Sequence, residues 1–326
     1  MRVLGTGVAG DKGEAILPRD CGACPEAEIA SLTAFARNDG RGISFGLLAM
    51  TKHMKIIKVL ALGDVVGEPG RKAIKEILPG LIRDEEISFV IANGENLAGG
   101  SGITESTVLD LFSSGVDVIT SGDHIFRKKE GEGLLQRDHR ILRPANYPST
   151  VPGVGATLVK SKEGVPIGVI NLLGRVFLKT VNCPFETAAQ EVKKLQAQTR
   201  LIFIDIHAEA TSEKVALGWF LDGRVTAIFG THTHIQTADE TVLPKGTGYI
   251  TELGMCGPYQ SVIGRQIDQV LKMFLTQMPS KLEVAMGDPR ISGALFEVDS
   301  ETGKTVSVRR VHEKLSKPPG KITVQG

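Results

Sequence analysis

The sequence predicts an α/β fold, on two observations. From Ile56 onward, short apolar runs rich in β-branched residues alternate with stretches of helical apolar period. Thirty-eight glycines among 326 residues suit the tight turns that this alternation requires. With 41% hydrophobic residues the chain can bury a real core, as one large domain or two smaller ones.

Residues 1–53 mix Gly, Ala and scattered charge with no countable strand or helix pattern. They are expected to be an extension, either poorly structured or the product of an upstream start, since Met54 immediately precedes the change in character. The folded domain is expected over residues 54–315 and a Pro/Gly-rich tail over 316–326. Buried strands are expected at Ile56–Leu62, Phe89–Ala92, Val116–Thr120, Val165–Asn171, Leu201–Ile206 and Val225–Phe229. Helices are expected at Arg71–Arg83, Glu105–Ser114 and Thr187–Gln198. Near the C-terminus, "GALFEVDSETGKTVSVRRV" reads as a hairpin of two alternating strands around a polar turn.

Composition excludes several function classes. Lys plus Arg (38) and Asp plus Glu (37) nearly cancel, so no general field draws the chain to nucleic acid or to an anionic membrane. Aromatic residues are sparse, which disfavours a stacking platform for single strands. No apolar run is long enough to span a bilayer, and four cysteines make no disulfide framework. Cys21-Gly-Ala-Cys24 has metal or redox spacing but lacks a second pair or a nearby His. A reducing, cytoplasmic setting is the expectation.

The informative residues follow the buried runs. Ile56–Leu62 leads into Gly63-Asp64, and Phe89–Ala92 into Asn93-Gly94-Glu95-Asn96. Val116–Thr120 leads into Gly122-Asp123-His124, and Leu201–Ile206, with Asp205 near its end, into His207. Val225–Phe229 leads into His232-Thr233-His234. Carboxyl ends of strands are where α/β sheets build sites. Several carboxylates and imidazoles share one water-poor cleft only if a positive charge holds them together. Mixed Asp, Glu, Asn and His donors suit Mn, Fe, Zn or Co better than an all-oxygen calcium cage, and their number exceeds the needs of one ion. Each piece has a plainer role when taken alone. Asp64 could cap a helix, Glu95-Asn96 could be a polar turn, and His207 could be a core histidine. The concurrence at five strand ends favours metal.

Taken together, "GDVVGEPGR", "NGENLAGGSGIT", "LRPANYP", "HAEATSEK" and "GTHTHIQTAD" resemble the YmdB-like branch of the calcineurin-type metallophosphoesterases, from about Lys55 to about Leu315. The resemblance implies a four-layer α-β-β-α sandwich with two mixed sheets. It also implies a phosphodiesterase acting on small nucleotides such as 2',3'-cyclic mononucleotides through two divalent ions, Fe or Mn foremost, with Mg, Zn or Co as alternatives. By position, Glu95 resembles the bridging ligand; Asp64, Asn96 and His234 would hold one ion; and Asp123, His207 and His232 would hold the other. His124 resembles the catalytic histidine at the phosphate. A homo-oligomer is implied, with a small-molecule nucleotide as partner and neither stable nucleic acid nor membrane.

One position departs from the pattern, because Asp123 stands where the family carries Asn. An intact centre with altered metal preference is expected. The alternative function is a regulatory protein that binds metal and phosphate-bearing ligands with low turnover. Arg143, Asn146, Ser212 and Lys214 read either as contacts near the site or as loop structure. A Rossmann-type oxidoreductase is disfavoured, since Gly63-Asp-Val-Val-Gly67-Glu-Pro-Gly70 does not fit the dinucleotide fingerprint.

Overall fold

In the computed structural model, residues 55–315 are described. The readings of residues 1–53 as an extension and 316–326 as a tail lie outside the described residues. In chain order the elements are β1 (Ile56–Leu62), β2 (Asp64–Val65), α1 (Gly67–Asp84), β3 (Phe89–Asn93), α2 (Glu105–Ser113), β4 (Val118–Thr120), α3 (Glu130–Arg137), β5 (Ala156–Lys160) and β6 (Pro166–Leu173). There follow α4 (Pro184–Gln196), β7 (Leu201–His207), α5 (Thr211–Leu221), β8 (Ala227–Thr231), β9 (Thr241–Val242), β10 (Gly248–Ile250), β11 (Met255–Gln260), α6 (Ile267–Thr276), β12 (Gly287–Asp299) and β13 (Thr305–Lys314).

Two mixed sheets form. The first runs β2-β11-β12-β1-β3-β4, with β13 also paired to β12; the second runs β5-β6-β7-β8-β10-β9. Within the first, β1, β3 and β4 are parallel, while β12 is antiparallel to β1. Within the second, β6, β7, β8 and β10 are parallel. The parallel strands bring their carboxyl ends to one edge of each sheet.

Strand alternation sorts the apolar residues into three cores. Ile57, Val59, Phe89, Ile91 and Val118 of the first sheet pack with Ile167, Val169, Phe203 and Phe229 of the second. On the outer face of the first sheet, Leu60, Leu62 and Val90 meet Ile74 and Leu78 of α1 and Leu111 of α2. On the outer face of the second, Ile170, Ile202, Ile204 and Ile228 meet Val192 of α4 and Leu217 of α5. The result is helix, sheet, sheet, helix, the four layers implied above. The hairpin is present as β12 and β13, with a register irregularity between Glu297 and Val298. Helices α3, α5 and α6 had no counterpart in the sequence reading. Among the described residues, no helix is long and apolar enough to cross a membrane.

Candidate metal centre

Five strand ends converge. Asp64 follows β1, Glu95 and Asn96 follow β3, and Asp123 and His124 follow β4, all from the first sheet. His207 ends β7, and His232 and His234 follow β8, from the second. Two glycines make this approach feasible. A Cβ on Gly63 would lie 1.9 Å from Gly254 O, and one on Gly122 would lie 2.1 Å from the His207 ring and 2.4 Å from Glu95 Oε2. Any side chain at 122 would therefore fill the centre itself.

Donor atoms of Glu95, Asp123, His207 and His232 lie within 4.8 Å of one another. His207 Nε2 is 3.3 Å from Glu95 Oε1 and 3.8 Å from Asp123 Oδ1. Beside them, His234 Nε2 is 3.6 Å from Asp64 Oδ1 and 3.5 Å from Asn96 Nδ2. Asn96 Nδ2 also reaches Glu95 Oε1 at 3.2 Å, so the two groups adjoin through the Glu95–Asn96 pair. His124 borders both, donating its backbone N–H to Glu95 Oε2 at 3.0 Å, with Nδ1 3.0 Å from Asn96 Oδ1. All eight predicted residues thus meet in one place.

Outer hydrogen bonds fix which nitrogen of each ring faces inward. Thr231 Oγ1 donates to Asp205 Oδ1 at 2.7 Å, so its oxygen is left to accept from His207 Nδ1 at 2.9 Å. His234 Nδ1 lies 3.0 Å from the Ile263 carbonyl, which can only accept. His232 Nε2 lies 3.1 Å from Glu209 Oε2, also an acceptor. Each neutral ring therefore turns a lone pair toward the centre, the arrangement that outer partners impose on metal-ligating histidines. His207 Nε2 and His232 Nδ1 then face each other at 3.0 Å as two acceptors, and Asp123 Oδ1 is buried with no hydrogen-bond partner. Two opposed lone pairs and an orphaned carboxylate oxygen are costly unless a proton or a cation lies between them.

Without a cation the groups can neutralise only one another. Burial would raise the Asp64 carboxyl, but His234 and His207 beside it hold it well below the usual range. Burial would lower His207, but Glu95 and Asp123 push it well above the usual imidazole value. A divalent ion would replace these protons with a fixed positive charge, and the donor set fits one.

The model of the YmdB-like protein family matches residues 60–311. The chain belongs to that family. It is 46% identical over 255 residues to a Bacillus subtilis (strain 168) protein named 2',3'-cyclic-nucleotide 2'-phosphodiesterase, an alignment covering 78% of this chain and 96% of that one. A Thermus thermophilus structure of a hypothetical protein superposes with a TM-score of 0.75 at 37% identity, covering 79% of this chain and 99% of its own. A Mycoplasma pneumoniae structure described as a novel phosphatase gives a TM-score of 0.75 at 34% identity, covering 80% and 94%.

In this YmdB-like chain the secondary sequence readings separate. Asn146 donates to the carbonyls of Leu173 and Asn182 and accepts from Leu173 N–H, so it ties a loop to the end of β6. Arg143 Nη1 donates to the Pro144 carbonyl at 2.8 Å, within its own loop. Lys214 is fully buried and donates to Glu252 Oε2 at 2.7 Å. Glu252 in turn accepts from the backbone N–H and hydroxyl of Thr233, at 3.2 and 2.8 Å. Thr233 sits between His232 and His234, whose φ angles are 99° and 66°. The buried pair therefore holds a backbone turn that non-glycine residues adopt only when their surroundings force it.

Asp205, marked in the sequence as a residue near a strand end, faces beneath the centre. It accepts from Thr120, Asn93 and Thr231, and burial pushes its carboxyl up to about 6. The sequence reading gave no role to Thr231, Glu209 or Glu252. The one local signal was the Asp205/His207 spacing, since residues i and i+2 of a strand share a face. The Tyr147 hydroxyl is also buried without a partner, and burial, then Asp123 and Glu95, push it up to about 12.

Proposed function

We propose that this protein is a metal-dependent phosphodiesterase that hydrolyses small cyclic nucleotides such as 2',3'-cyclic mononucleotides at a binuclear centre. The carrying observation is the cluster itself: His207 Nε2 and His232 Nδ1 lie 3.0 Å apart, with donor atoms of Glu95 and Asp123 within 4.8 Å. Asp123, His207 and His232 would hold one ion, Asp64, Asn96 and His234 the other, and Glu95 would bridge them. Mn or Fe suits this mixed oxygen and imidazole set, with Mg, Zn or Co as alternatives. When bound, the ions supply charge that polarises the phosphoryl oxygens and makes a water nucleophilic at neutral pH.

The chain's own residues supply the rest. His124 is held by its backbone N–H on Glu95 and by Asn96 at Nδ1, which leaves Nε2 toward the cleft, 3.8 Å from Asp123 Oδ2. From there the ring, when protonated at both nitrogens, can give its Nε2 proton to the departing alkoxide. Asn96 thus links the ring position to the ligand group. As placed, its amide nitrogen faces Asp64 and Glu95, so ligation through Oδ1 requires the amide to turn over.

The purified protein, analysed for metal and assayed on 2',3'-cyclic AMP with added Mn, is expected to bind about two ions and release a nucleoside monophosphate. Protein with no bound metal and no hydrolysis across Mn, Fe and Co overturns the reading. A second reading is favoured by Asp123 alone: a regulator that binds ligand with little turnover. Calorimetric binding of a cyclic nucleotide without product formation would select it. A homo-oligomer, supported by the exposed apolar residues Ile267, Leu271, Phe274 and Leu275 of α6, and the reducing cytoplasmic setting read from cysteine usage complete the proposal. Light scattering on the purified chain tests the assembly.

A further inference from the structure

The loop between β6 and α4 is tied to two residues of the centre. At its start, Gly174 N–H donates to the carbonyl of His207 at 2.9 Å. Arg175 N–H and Val176 N–H then donate to the carboxylate of Glu213, a buried residue in the first turn of α5. Further on, Lys179 Nζ donates to the carbonyl of Asp123 at 2.7 Å, and Asn182 N–H to the carbonyl of Asn146 at 3.0 Å. Two of these anchors are main-chain oxygens of residues that line the centre, one from each sheet.

Between the anchors stands Phe177. It is 86% exposed, the most exposed large apolar side chain among the described residues, and its φ is 63°. A left-handed Phe costs on the order of 1–2 kcal/mol, and the cost of exposing an apolar ring to water is avoided only when the ring is buried. Neither cost is relieved by packing here. The loop is nonetheless held by four sets of hydrogen bonds, so the ring is presented to solvent by a fixed frame. Such over-determined outliers gather at ligand clamps. Arg175 and Lys179 flank it two residues to either side, both exposed. An exposed aromatic ring on a loop that also carries two cations offers the chemistry that takes a nucleobase and its phosphate together.

We infer that Phe177 is the base-stacking residue of the site, making the favoured substrates cyclic phosphodiesters that carry an aromatic base. This rests on the phosphodiesterase reading. A base-free cyclic diester, glycerol 1,2-cyclic phosphate, offers the same reacting group and nothing to stack. The inference therefore concerns the preference between the two substrates, through KM more than kcat.

The test compares kcat/KM for 2',3'-cyclic AMP with that for glycerol 1,2-cyclic phosphate in wild type, Phe177→Ala and Phe177→Tyr. The ratio is expected to fall about tenfold in Phe177→Ala, as loss of one base–aromatic stack requires, through a raised KM. It is expected to return in Phe177→Tyr. An unchanged ratio, or a Tyr variant that behaves like Ala, overturns the assignment. So does a variant whose only change is its oligomeric mass, which would make Phe177 a contact between copies. If the wild type hydrolyses neither substrate, the phosphodiesterase reading fails separately. Calorimetry with adenosine 3'-monophosphate on the same three proteins then decides: about tenfold weaker binding in Phe177→Ala supports stacking, and equal binding sinks it.

Discussion

The first sheet ends in oxygen and the second in nitrogen. Asp64, Glu95, Asn96 and Asp123 come from the ends of β1, β3 and β4, whereas His207, His232 and His234 come from the ends of β7 and β8. The two sets are also held differently. Each imidazole of the second sheet has an outer acceptor that fixes its tautomer, through Thr231, Glu209 or the Ile263 carbonyl. The carboxylates of the first sheet rest mainly on the imidazoles and on Asn96, and Asp123 keeps one oxygen without any partner. The nitrogen half is preorganised, whereas the oxygen half carries charge that little but the imidazoles and Asn96 offsets. Neither sheet makes a site alone, so the centre is a joint sitting over the apolar core between the sheets.

That difference can be broken most severely from the nitrogen side. His207→Ala removes a donor that touches Glu95, Asp123 and His232 at once. Turnover is expected to fall by on the order of 10³ or more, with metal content reduced by about one ion per chain. Plasma emission analysis beside the hydrolysis assay checks it. A variant with full metal content and full activity would remove His207 from the centre.

His124 lies on the oxygen side but in a different role. His124→Ala is expected to lower kcat by about 10²–10³ while leaving metal content intact, since the backbone N–H that donates to Glu95 Oε2 survives and only the 3.4 Å approach of the ring to Glu95 Oε1 is lost. Loss of metal in this variant would make His124 a ligand instead of the proton donor.

Much of this joint was legible in the sequence, for a physical reason. A strand buried on both faces reads as a continuous apolar run, and a Gly followed by Asp, Glu or His at its end is conspicuous against it. Asp64, Glu95 and Asp123 stand out that way, and His207 and the His232/His234 pair by closing their apolar runs without an adjoining Gly. The outer shell did not, because its partners are distant in sequence. Lys214 sits in a polar stretch, and nothing local announces that Glu252 will meet it at 2.7 Å in the interior. Helix α5 was hidden likewise, since it begins four residues after His207, inside what read as a motif. Helix α6 leaves Leu271, Phe274 and Leu275 exposed, so its apolar pattern does not mark a face packed within the chain.

The buried pair allows the preorganised half to be loosened without touching a donor. Lys214→Met leaves the Glu252 carboxylate buried beside Thr233 with no cation, which is expected to cost about 3 kcal/mol. For a domain of this size that is a fall in Tm of roughly 10 °C, read by calorimetry. Metal affinity should weaken with it, because the turn carrying His232 and His234 loses its support. Removing metal from the wild type with a chelator tests the same joint from the other direction, with an expected fall in Tm also of roughly 10 °C. If Lys214→Met lowers Tm while affinity is untouched, the clamp serves the fold alone.

The smallest expected effect is the most specific to this chain. Asp123 supplies a full negative charge where the resemblance implies an amide, and its Oδ1 sits 3.8 Å from His207 Nε2 with no hydrogen-bond partner. Asp123→Asn keeps an oxygen donor in place while removing that charge. At an ion a few ångströms away the lost attraction weakens metal binding, and the same change makes the ion a better Lewis acid and repels an incoming phosphodiester less. The two consequences oppose each other. With Mn saturating, kcat for bis-p-nitrophenyl phosphate is therefore expected to rise about threefold to tenfold, while half-saturating Mn rises as well. If instead the variant fails to retain metal at any Mn concentration, the charge of Asp123 is what holds the ion. The oxygen half would then be preorganised in its own way, for affinity at the expense of rate.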